Sequence, residues 1–73
     1  SVVNVSFVGP VNDEISLDVY DLNGRKISSV IDNEISNGKL YNIILDVSTY
    51  PLGTYLVVMT SNTTNKVSKF IKY

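Results

Sequence analysis

"ISLDVYDLNGRKISSVI", residues 15–31, decides how this chain folds. Ile15, Leu17 and Val19 alternate with Ser16, Asp18 and Tyr20. That period of two is what a strand with one buried face requires. Leu22-Asn23-Gly24-Arg25 follows, and Asn-Gly between two strand patterns is the strongest short-range hairpin signal. A type I′ turn needs positive φ at both central residues, which glycine adopts freely and asparagine at little cost. The third apolar run, Lys26 to Ile31, is therefore predicted to fold back antiparallel on Ile15 to Asp21.

Outward from this hairpin the vocabulary stays β. Val, Ile, Thr, Tyr and Phe dominate and Ala is absent. Val2 to Val8 puts Val3, Val5 and Phe7 on one face. Gly9, Pro10, Asn12 and Asp13 read as a loop, and so does the polar segment Asp32 to Gly38. Leu40 to Val47 aligns Tyr41, Ile43, Leu45 and Val47. Ser48 to Leu52 is a connection in which Pro51 lacks a backbone donor. Gly53 to Thr60 is apolar on both faces, the mark of a strand in the middle of a sheet. After a turn at Ser61 to Asn65, Lys66 to Tyr73 sets Lys69 on a face with Val67 and Ile71 and puts Phe70 opposite. Short strands at spacings of roughly 8–12 residues, with turn signals between them, predict an all-β fold. The expected architecture is an immunoglobulin-like antiparallel β-sandwich of about six to seven strands, since two facing sheets bury one-sided strands.

Composition narrows the function. Seventy-three residues make one domain, 1–73, with a small core. No Cys and no His occur, which removes thiolate metal sites, disulfides and the usual base near neutral pH. Six basic residues are scattered and the net charge is −1, so no nucleic-acid surface is expected. No apolar run approaches the ~18 residues of a membrane helix, so no membrane insertion is expected either. Asp13 and Glu14 are adjacent, and strand neighbours point to opposite faces, so they read as a solvated loop rather than a catalytic pair. Asp18, Asp21 and Asn23 do not match an EF-hand's intervals, and a tight hairpin leaves little room for a cation. The reading is no catalytic residue, no metal and no cofactor, hence no enzyme. Tyr20, on the polar face of its strand, is the best candidate for stacking on a sugar, and the alternative function is a spacer or glycan-binding adhesion module of a cell-surface protein. The chain itself reads as a piece of a longer protein.

Four segments resemble one family. Val19-Tyr20-Asp21-Leu22-Asn23-Gly24-Arg25-Lys26-Ile27 is similar to the Val-Tyr-Asp-x-x-Gly-Arg/Lys hairpin of the C-terminal sorting domain of the type IX secretion system in Bacteroidetes. Leu45-Asp46-Val47-Ser48, Leu52-Gly53-Thr54-Tyr55-Leu56-Val57 and the closing Lys69-Phe70-Ile71-Lys72 resemble its later motifs, in order. The family's opening Pro-Asn-Pro is not Gly9 to Asp13 and belongs, by spacing, upstream of Ser1. The resemblance implies a signal domain fused behind a cargo. The cargo crosses the inner membrane, transits the periplasm, is recognised by the outer-membrane translocon, and is freed or anchored at the cell surface by a sortase-like protease. It implies that Lys69, Phe70, Ile71 and Lys72 belong to the export signal, with Lys69 and Lys72 as the contacts, and that Asn23, Gly24, Gly53 and Tyr55 build the shape that is read.

Overall fold

The computed structural model describes residues Ser1 to Tyr73 as six strands: β1 Val2–Val8, β2 Val11–Asp21, β3 Lys26–Asn37, β4 Leu40–Asp46, β5 Gly53–Ser61 and β6 Asn65–Lys72. They form two sheets, β1–β4 and β3–β2–β5–β6, with every pairing antiparallel. This is the order of the B–E and C′–C–F–G strands of an immunoglobulin sandwich. The apolar alternation places the core where the sequence predicts it. Ile15, Leu17 and Val19 from β2 meet Tyr55, Val57 and Met59 from β5 beneath Tyr41 and Leu45 of β4, and Val47 closes the same core. β5 lies between β2 and β6, a central strand as its two apolar faces require.

Two predicted loops are different in the structure. β2 begins at Val11, and β3 runs on through the polar segment to Asn37. Polar composition is compatible with a strand here because β3 is an edge, with solvent along one side. Register breaks between Val11 and Asp13 and between Ile15 and Leu17 accompany Asn12 and Asn33 at φ of 56° and 51°, as bulges do. The Ser16 hydroxyl pins the second of these, accepting from the Asn33 N–H and donating to its side-chain oxygen.

The Asn23-Gly24 hairpin closes as predicted but with a different turn. Only Gly24, at φ 83°, is left-handed. The Gly24 N–H donates to Asp21 O, and the Asp21 N–H donates to Arg25 O. Leu22, Asn23 and Gly24 thus form a three-residue loop, a type I turn followed by a left-handed residue. The cause is Asp21, whose carboxylate accepts the N–H groups of Asn23 and Arg25 and the Arg25 guanidinium, an Asx-type cap that favours this turn.

The sheets are unequal. Two strands cannot cover four, so the inner face of β6 lies partly open beside β1, and that of β3 beside β4.

Candidate recognition surface

β6 is an edge strand, and its register with β5 fixes which way its side chains point. Phe70 is opposite Tyr55 and Lys72 opposite Gly53, whereas Lys69 is opposite Leu56 and Ile71 opposite Thr54. Alternation therefore divides the four terminal motif residues into two pairs. Phe70 faces the core and stacks on Tyr55, with ring centroids 5.3 Å apart and planes at 20°. Tyr50 completes the cluster, 5.2 Å from Tyr55 and 6.5 Å from Phe70. Lys72 points the same way. Its ammonium donates to the carbonyls of Val47 and Tyr50 in the β4–β5 corner. Lys69 and Ile71 face solvent on the outer side of the sheet, with Val67 beside them at 61% exposure.

The same corner holds Tyr55, whose hydroxyl donates to Pro51 O four residues upstream. A tyrosine near the start of strand F that bonds back in this way is the tyrosine corner of immunoglobulin domains. Asp46 accepts the Ser48 N–H at 3.0 Å. This bond and the Ser48 side chain hold its carboxyl below the usual carboxylate range against the opposing effect of burial, and Lys72 adds positive charge nearby. Gly53 sits at φ 145° and nothing lies within 4 Å of the place a Cβ would occupy. Its role is backbone freedom.

The hairpin motif reaches this end as well, since Asp21 is paired with Tyr55 across β2 and β5. A shallow cleft brings Asp21, Arg25 and Ile27 against Pro51, Leu52 and Gly53. Asp21's carboxyl is held low mainly by the Arg25 N–H, then, against burial, by the Arg25 side chain and the Asn23 N–H. Four segments separated in sequence thus meet at one end of the sandwich. Of the terminal residues with a predicted contact role, Lys69 is free to touch a partner; Lys72 is engaged with the corner.

Asp18 and Asp21 do not converge on a common point. Asp18 lies beside Lys26 at 3.7 Å, and Asp21 is bonded within its own turn. Tyr20 is half-buried on the outer face, opposite Leu56 and Lys26. Asp13 is a functional-looking residue the sequence misplaces. It is 8% exposed rather than solvated and accepts from Thr63 Oγ1 and Asn62 Nδ2, both at 2.9 Å. Burial pushes its carboxyl up, and the bonds from Thr63 and Asn62 outweigh that and hold it low. Asn62-Thr63 lies about fifty residues on, with no local pattern to announce the contact.

The family model of the secretion system C-terminal sorting domain matches residues 1–73, the whole chain. The chain belongs to this family. Neither the curated proteins nor the solved structures compared with the sorting domain gave a match. As a type IX sorting signal, the domain marks a secreted or cell-surface cargo fused upstream of it. Its motif residues are in large part the residues that shape the β4–β5 corner and the hairpin packed against it.

Proposed function

We propose that the sorting domain acts as a passive shape signal and not as a catalyst. The outer-membrane translocon of the type IX system recognises it after its transit of the periplasm, and a sortase-like surface protease then separates it from the cargo. The observation that carries this reading is the convergence of the four family motifs at one end of the sandwich. Phe70, Lys72, Tyr55 and Gly53 build that end, and Lys69 with Ile71 presents its outer strand.

The test is export of a periplasmic reporter fused, through its upstream linker, to residues 1–73 in a type IX-competent host. Deleting Phe70 to Tyr73 removes both the aromatic stack and the Lys72 bonds, so it also weakens the fold. Lys69→Glu and Ile71→Ser alter only the outer face. Surface delivery lost in these two variants, with unchanged thermal unfolding of the purified domain, supports direct reading of β6. Delivery equal to wild type in both, and in the deletion, overturns the proposal.

A further inference from the structure

The chain contains two Asn-Gly pairs, Asn23-Gly24 and Asn37-Gly38, each followed by a basic residue, Arg25 and Lys39. Glycine has no Cβ to hinder a close approach of its backbone, so its nitrogen can attack Cγ of the preceding asparagine. The new Cγ–N bond closes a cyclic imide while the bond to the side-chain nitrogen breaks, and ammonia leaves with the proton from the glycine N–H. Water then adds to one imide carbonyl and opens the ring. Attack at the side-chain carbonyl yields aspartate; attack at the backbone carbonyl yields isoaspartate.

The fold holds the two pairs differently. Asn37 follows the fully buried Ser36 and is opposite Val11 in the β2–β3 ladder. The Gly38 N–H donates to Pro10 O at 3.1 Å, and Lys39 O accepts the Gly9 N–H at 3.0 Å. A distant segment of the chain thus pins this turn twice. The packing is close as well: a Cβ at Gly38 would lie 3.0 Å from Val11 Cγ2, and one at Gly9 would lie 2.0 Å from Ser36 Oγ. Freeing the Gly38 nitrogen means parting the Gly9–Val11 segment from the end of β3. Asn23 and Gly24 are exposed, Leu22 before them is 67% exposed, and nothing lies within 4 Å of the place a Gly24 Cβ would occupy. The bonds at this loop are its own. The Gly24 N–H donates to Asp21 O, and the Asp21 carboxylate accepts the N–H groups of Asn23 and Arg25. A segment with few buried contacts and solvent-exposed bonds opens at low free energy, here without unpairing a strand.

We propose that Asn23 is a site of spontaneous deamidation in the folded domain, that Asn37 is shielded from it, and that the Asp21 carboxylate restrains the reaction at Asn23. Isoaspartate at this position adds an atom to the backbone of a loop closed by the Gly24 N–H on Asp21 O, and it places a second carboxylate beside that of Asp21. The product therefore disrupts the turn. None of this chemistry depends on what reads the domain.

The test follows the purified chain at mildly alkaline pH, well below its melting temperature, beside a sample unfolded in urea. Trypsin places the two asparagines in separate fragments, Ser1–Arg25 and Ile27–Lys39. Mass spectrometry after chromatographic separation of the isoaspartyl and aspartyl forms gives each rate. In urea the two sites are expected to react at similar rates, because each is Asn-Gly before a basic residue. In the folded chain Asn23 is expected to react about tenfold faster than Asn37, the factor that one hydrogen bond and its strand pairing represent. Asp21→Ala is expected to raise the rate at Asn23 severalfold and leave Asn37 unchanged, and Asp21→Asn, which keeps a side-chain acceptor, is expected to fall between wild type and Asp21→Ala. A folded-state rate at Asn23 no greater than at Asn37 overturns the assignment of the site. An unchanged rate at Asn23 in Asp21→Ala, or an equal rise at both sites, overturns the role of the carboxylate.

Discussion

Lys69 and Lys72 are three residues apart and opposite in role. The ammonium of Lys72 satisfies the carbonyls of Val47 and Tyr50, whereas Lys69 makes no bond. A hydrogen bond to a charged group contributes about 1.5–3 kcal/mol, so Lys72→Ala is expected to lower the unfolding free energy by about that amount. Lys69→Ala, an exposed substitution, is expected to stay within about 0.5 kcal/mol of wild type; urea denaturation of both distinguishes them. Tyr55→Phe removes only the bond to Pro51 O and is expected to cost about 1 kcal/mol in the same assay. The alternation of Lys69 with Phe70 is readable in the sequence, and it puts Phe70 and Lys72 on one face. Which of the two faces meets the core is not, because β6 carries a lysine on each side and period alone does not choose between them.

At the scale of elements, two turns hold the sandwich through carboxylates. Asp13 ties the start of β2 to the β5–β6 turn, and Asp21 caps the β2–β3 turn. Both carboxyls, with Asp46, are held below their ordinary range. A carboxyl depressed in the folded state contributes stability that is present above its unfolded pKa, about 4, and lost as pH falls through its folded value. The melting temperature is therefore expected to be flat near neutrality and to fall below about pH 4. Asp13→Asn is expected to melt lower at pH 7 and to lose less on acidification, which a pH series of thermal melts measures. Gly53→Ala places a side chain at φ 145° in open space, so its cost is backbone strain of about 1–3 kcal/mol, read from the shift in urea midpoint. The hairpin strands themselves were legible from Ile15 to Ile31 by period and Asn-Gly. The turn class was not, because Asp21's side chain selects it. The bulged halves of β2 and β3 were not either, because polar residues there pair with a neighbouring strand that local composition does not reveal.

For the molecule as a whole, β1 pairs with β4 and β2 with β5 across long stretches of chain, and β5 is centred only once its pairings with both β2 and β6 have formed. Such topologies fold in roughly milliseconds to seconds, and stopped-flow refolding is expected in that range, with Val57→Ala slowing it if the β2–β5 pairing belongs to the nucleus. The sequence alone determined the two-layer β architecture, the faces of β1, β2, β4 and β5, and the family. Side-chain period and turn chemistry are local, and burial acts on them one strand at a time. Tertiary structure decided which strands are neighbours, that Lys72 belongs to a corner and Lys69 to the surface, and that Asp13 is a latch. Each of these depends on groups brought together from distant parts of the chain, and the free energy of such contacts appears only when both partners are in place.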